Sequence, residues 1–139
     1  MNILLAMDGS MYSQAASRAL ATHVRPQGAT VLVVHVIEPS TFWEQDAGLR
    51  ERSQQAQALL NKAVHELDVV GFTGVTTRVI EAETRTGILE VATQWHADLI
   101  VLGSHGRKGL EKLMLGSVAE SVSRHASCSV LIVRIPSTS

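Results

Sequence analysis

The sequence predicts an α/β fold: a single doubly wound domain with a five-stranded parallel sheet, order 3-2-1-4-5, and two helices on each face. Three observations carry this. Apolar runs of strand length alternate with helix-period segments along the chain, the pattern of a parallel sheet with crossover helices. Several runs are continuously apolar, as strands covered on both faces are. Finally, polar glycine-bearing segments follow the first and fourth runs, and they form one site only if those two strands are neighbours.

The elements follow in order. Ile3-Leu4-Leu5-Ala6-Met7 is a short buried strand, ended by Asp8-Gly9-Ser10. Ser10 has the residue type of an N-cap. Tyr12, Ala16, Ala19, Leu20, His23 and Val24 then recur at helical spacing until Pro26 and Gly28. Residues 29–37 form the second strand, and 38–47 a loop carrying Phe42 and Trp43. A long helix is predicted from about 48 to 70, striped by Ala56, Leu59, Leu60, Ala63, Val64 and Leu67. Val75, Thr77 and Val79 alternate with Thr76, Arg78 and Ile80, as in a half-buried strand. The third helix covers about 87–96, with Ile88, Val91, Ala92 and Trp95 on one face. Asp98 to Leu102 is the fourth strand, and 103–116 a long turn. A fourth helix covers about 117–126, and Ser129 to Val133 is the fifth strand.

The 139 residues suit one domain over 1–139, with 136–139 as a flexible tail. Charged residues make up 18%, below the roughly 25% of soluble proteins, which suggests surface buried against another chain. Aromatics are only 4%, so the core is aliphatic. A net charge of −1 without a basic block argues against nucleic-acid or anionic-membrane binding. Cys128 is the one cysteine, which excludes an intramolecular disulfide and any zinc site with two cysteines, and it reads as a buried inert thiol. The start Met1-Asn2-Ile3 has no export-signal character. No run reaches the ~18 apolar residues of a membrane span. The expectation is a cytoplasmic protein without membrane insertion.

The turn after the fourth strand holds the main chemical signal. Gly103, Gly106 and Gly116-Ser117 are spaced G-x2-G-x9-G-S. Glycines let backbone N–H groups approach an anion, and a helix start favours phosphate. Two readings stay open: Ser117 can bond a phosphate oxygen, or Ser117-x-x-Glu120 can form a capping box that needs no ligand. Likewise Gly103 can simply end a strand, and Gly109 can simply turn a loop. A P-loop is excluded, and no G-x-G-x-x-G follows the first strand. Without a P-loop lysine, efficient phosphoryl transfer has no evident engine.

The match to a known family covers nearly the whole chain. It runs through Ile3 to Ser10, His35-Val36, the block Ala97 to Gly106, the segment Gly116-Ser117-Val118-Ala119-Glu120, and Val130 to Val133. Together these resemble the universal stress protein family, in its ATP-binding branch. The resemblance implies that Ala6, Met7 and Asp8 line the adenosine end and that Val36 packs on or bonds the adenine. It implies that Leu102 and Gly103 flank the ribose, and that Gly106, Gly116, Ser117 and Val118 hold the phosphates. Ala119 stands where some relatives have a hydroxyl residue, so the choice between ATP and AMP or ADP is left open. The implied function is an ATP-binding stress-response or regulatory protein, acting through ligand-dependent conformation or an unknown client protein, with slow ATP hydrolysis at most. The alternatives are a nucleotide-independent adaptor and a slow ATP hydrolase.

Several residues carry two readings. Asp8 can bond the ribose or adenine, can help hold Mg²⁺ carried by the phosphates, or can be a loop acid that caps a helix. His105 either meets a phosphate or is a solvated turn residue. Arg107 and Lys108 either neutralise phosphate or sit on an exposed loop. The six histidines show no i, i+4 ligand pair, and His35 and His65 read as histidines without chemistry. Nucleotide is expected to order residues 104–115. The fifth strand would be an apolar sheet edge, which invites pairing. The resemblance implies a homodimer there, through Val130, Leu131, Ile132, Val133 and Arg134.

Overall fold

The computed structural model describes residues 1–39, 46–106 and 114–136. Along them run β1 (Asn2–Ala6), α1 (Met11–His23), β2 (Thr30–Ile37), α2 (Asp46–Val69), β3 (Gly74–Glu81), α3 (Thr84–Gln94), β4 (Leu99–Gly103), α4 (Ser117–His125) and β5 (Ser129–Val133). The sheet order is β3-β2-β1-β4-β5 and every pairing is parallel. The fold class and strand order read from the sequence hold.

β1 is the central strand, with Ile3 registered on Val31 of β2 and on Leu99 of β4. Its side chains alternate between two covered faces, which is why its run has no polar positions. Ile3 and Leu5 pack with Ala16 and Leu20 of α1 and with Leu60, Ala63 and Leu67 of α2. Leu4 packs with Ile88 and Val91 of α3 and with Ala119 and Val122 of α4. Each face thus carries two helices, and each large aliphatic side chain buried there contributes about 1.5–3 kcal/mol. β3, at one edge, alternates in exposure from Gly74 to Val79 as its sequence suggests, but Ile80 breaks the pattern by packing, half-buried, against the core.

Three details differ from expectation. α1 presents Ser13, Ala16, Ser17 and Leu20 to the sheet, while His23 is exposed. Small side chains let α1 sit close, and the imidazole falls off the stripe. α3 begins at Thr84, three residues before the predicted start. Its N-cap Glu83 makes no side-chain capping bond; the carboxylate of Glu38, just past β2, instead accepts from the Thr84 hydroxyl at 2.9 Å and its N–H at 3.4 Å. A cap supplied by another element leaves no local sequence signal. α3 ends at Gln94, and His96 turns the chain with φ 56°, the left-handed conformation that closes many helices. The expectations for Phe42, Trp43, Arg107, Lys108, Gly109 and the final 137–139 lie outside the described residues.

Candidate functional site

From β1 the chain passes to α1 on one face; from β4 it passes to α4 on the other. The carboxyl ends of these neighbouring strands therefore part, leaving a crevice at the switch point of the sheet. A cleft of about 670 Å³ lies there. The nucleotide-site residues singled out in the sequence line it: Ala6, Met7 and Asp8 from the β1 end, Val36 from β2, Leu102, Gly103, His105 and Gly106 from the β4 end, and Gly116 to Ala119 from the start of α4.

The β1 side is fixed by a local network. Ser10 caps α1 by accepting from the Ser13 N–H at 3.1 Å. Asp8 Oδ1 accepts from the Ser10 N–H at 2.8 Å, which turns the chain at Gly9, φ 84°. Ser10, not Asp8, caps the helix, and the turn bond to the Ser10 N–H occupies one Asp8 carboxylate oxygen. The other oxygen faces the motif: a Cβ at Gly106 would stand 3.2 Å from Asp8 Oδ2. His35, read as a histidine without chemistry, also lines the cleft. Its Nδ1 donates to the Met7 carbonyl at 2.7 Å and ties the end of β1 to β2.

The glycines divide by role. A Cβ at Gly103 would come within 2.7 Å of the Tyr12 backbone, so this position is glycine because α1 lies directly on the end of β4. At Gly116 a Cβ would meet the Ser104 carbonyl oxygen at 3.0 Å and His105 Cα at 3.1 Å. Gly116 is thus held against the β4 end, and its N–H donates to that Ser104 oxygen at 2.8 Å.

The capping-box reading of Ser117 is overturned. Gly116 is the N-cap of α4, with no side-chain capping bond, and Ser117 is the first helical residue. Glu120 turns away to Arg124 Nη2, at 2.9 Å. The first-turn N–H groups of α4, at Ser117, Val118 and Ala119, have no intrahelical acceptor and sit where the helix dipole is positive. Ala119 itself packs into the core beside Leu4 and Ile100, 1% exposed, so its side chain serves packing.

His105 is not a solvated turn residue: it is 7% exposed. Its Nδ1 lies 2.9 Å from Ser104 Oγ and its Nε2 2.5 Å from the Met114 carbonyl oxygen. The Tyr12 ring stands against it, centroids 5.0 Å apart.

Sequence reasoning missed the far end of the cleft, formed by Glu38, Arg52, Gln55 and Thr84. There Arg52 Nη1 donates to the Glu38 carbonyl at 3.4 Å. These residues come from three separate elements with no shared motif, so only the fold brings them together. Among the described residues no group of three His, Cys, Asp or Glu is placed to hold a metal ion, and no helix is long and apolar enough to cross a membrane.

Comparison with known proteins gives one consistent result. A model of the universal stress protein family matches residues 1–134. A universal stress protein of Methanocaldococcus jannaschii is 34% identical over 143 residues, spanning 96% of this chain and 82% of that protein. Among solved structures, a universal stress protein of Lactobacillus plantarum superposes with a TM-score of 0.76 at 25% identity, over 96% of this chain and 97% of the other. The universal stress protein of Archaeoglobus fulgidus in complex with dAMP gives a TM-score of 0.70 at 26% identity, over 95% and 96% of the two chains.

Proposed function

This chain belongs to the universal stress protein family, and we propose that it is an adenine-nucleotide-binding stress-response protein whose 1–139 unit takes ATP, or AMP or ADP, in the switch-point cleft. The observation that carries the reading is the uncapped start of α4 lining the same cleft as Gly106, Asp8 and Val36. Phosphate oxygens would accept from the first-turn N–H groups and the Ser117 hydroxyl. The ribose would lie along Leu102 and Gly103, within reach of Asp8 Oδ2. The base would rest on apolar Ala6, Val36 and Ile88. The dAMP complex of the Archaeoglobus fulgidus relative supports this ligand class. Mg²⁺ would enter on the phosphates, with Asp8 as its nearby carboxylate.

Binding, rather than turnover, is the activity proposed, carried out in the cytoplasm and read by a client protein or by a second copy of the chain. β5 pairs with β4 along one edge, and its side chains from Val130 to Val133 are only half-buried. A second copy pairing at its other edge, with Arg134 at the rim, would cover them. Sedimentation velocity of Ile132→Lys beside the wild type tests this; two monomeric species would remove the homodimer.

The first test is calorimetric titration of the full chain with Mg²⁺-ATP and with AMP, beside Gly116→Val, whose side chain crowds the Ser104 carbonyl. Micromolar binding by the wild type, lost in a folded variant, is expected. No binding by the wild type would overturn the nucleotide reading and leave a nucleotide-independent adaptor.

A further inference from the structure

Residues 106 and 114 are the two ends of a segment that leaves β4 and returns to begin α4. Holding such ends together costs closure entropy, which fixed contacts must offset. Among the described residues, two hydrogen bonds do this. The Gly116 N–H donates to the Ser104 carbonyl at 2.8 Å, and the His105 Nε2 meets the Met114 carbonyl at 2.5 Å. Ser104 is anchored in turn, its N–H donating to the Val133 carbonyl of β5 at 2.9 Å. A carbonyl oxygen only accepts, so Nε2 carries a proton. In the neutral ring Nδ1 then accepts the Ser104 hydroxyl proton. Ser104 is 1% exposed, so its hydroxyl has no solvent alternative. The Tyr12 ring packs against the imidazole from α1, centroids 5.0 Å apart.

We infer that His105 is a positioning residue. Its imidazole clamps residues 114–116 onto the end of β4 and thereby sets the spacing between Gly106 and the first turn of α4. This rests on the nucleotide reading of the cleft and adds the group that shapes its phosphate half. Both ring nitrogens serve the clamp, so the ring holds the phosphate cradle in place without touching the phosphate. The Met114 carbonyl fixes the tautomer, and the Ser104 hydroxyl, which can donate, complements it at Nδ1.

The effect falls on the phosphate half alone. His105→Leu should weaken ATP binding by about tenfold or more, the cost of a cradle left unfixed, and change adenosine binding by less than about twofold. His105→Gln keeps an amide donor within reach of the Met114 carbonyl and should recover most of the ATP affinity. Ser104→Ala should weaken ATP binding in the same sense, and with His105→Leu the two losses should not add, because the residues act as one unit. Nitrogen-detected NMR of the wild-type imidazole supplies a measurement independent of variant folding. An Nε2–H signal that saturating ATP leaves in place supports the clamp. An Nδ1–H tautomer, or an Nε2 signal displaced by ATP as a direct phosphate contact would displace it, overturns it. If the wild type binds ATP and His105→Leu binds it equally well, the clamp fails while the nucleotide reading stands. If the wild type binds neither ATP nor adenosine, the nucleotide reading itself fails.

Discussion

Gly103 and Tyr12 are in backbone contact: a Cβ at Gly103 would lie 2.7 Å from the Tyr12 carbonyl carbon and 2.8 Å from its oxygen. The first motif glycine is therefore required by the packing of α1 across the end of β4. Neither partner can yield, because both are backbone. Gly103→Ala should lower the unfolding free energy by about 3 kcal/mol, the upper range for forced overpacking. Urea unfolding measures it. A variant of native stability that only loses nucleotide would contradict the packing account.

Ser117 occupies the first position of α4, exposed, with no capping bond. A carboxylate there complements the helix dipole, yet it opposes a phosphate in the same place. Ser117→Asp should therefore raise stability by about 0.3–1 kcal/mol while reducing ATP affinity by at least about tenfold. Thermal unfolding and calorimetry on one sample separate the two. A gain in stability with ATP affinity unchanged would argue that no phosphate sits at this turn.

Glu38 joins β2 to the first turn of α3 through Thr84. Glu38→Ala should cost about 1 kcal/mol, as loss of a helix cap does, and Glu38→Gln less. A double-mutant cycle with Thr84→Ala should show coupling of about 0.5 kcal/mol or more, since the two touch. Additive losses would mean that α3 is capped by something other than this carboxylate.

Cys128 is a half-buried thiol. Burial raises its pKa first, a backbone hydrogen bond partly offsets that, and the Asp98 carboxylate raises it further. The protonated thiol is thus favoured in the folded chain. The stability linked to it is fully present below the unfolded thiol value of about 8.5 and is lost as pH rises through the higher folded value. Alkylation by iodoacetamide near pH 8 should be slower in the folded chain than in the urea-unfolded one, because the thiolate is the nucleophile. The stability gap between wild type and Cys128→Ser should change in the wild type's disfavour above pH 9. A folded thiol that reacts faster than the unfolded one would contradict this environment.

How much of this was written in the chain differs element by element. The apolar run Ile3–Met7 and the strand read over Asp98–Leu102 announced buried strands, because a strand covered on both faces has little place for a polar side chain. The stripe from Ala56 to Leu67 announced α2, because one face of it had to be buried. The glycine spacing from Gly103 to Ser117 pointed to the cleft at the ends of β1 and β4, because glycine is the residue type that close backbone approach leaves available.

What stayed hidden depended on partners distant along the chain. The start of α3 waits on Glu38, which is forty-six residues from Thr84. The role of Gly103 waits on α1 folding back across β4. Ser117 carries the sequence of a capping box, yet Gly116 takes the cap, because its N–H is drawn to Ser104. His105 looked divided between phosphate and water, and the tertiary structure engaged both its nitrogens with Ser104 and Met114. Patterns of burial repeat locally and can be read from one chain segment. The partner of a polar group is chosen by whatever the fold brings within hydrogen-bond reach, and only the assembled sheet and helices decide that.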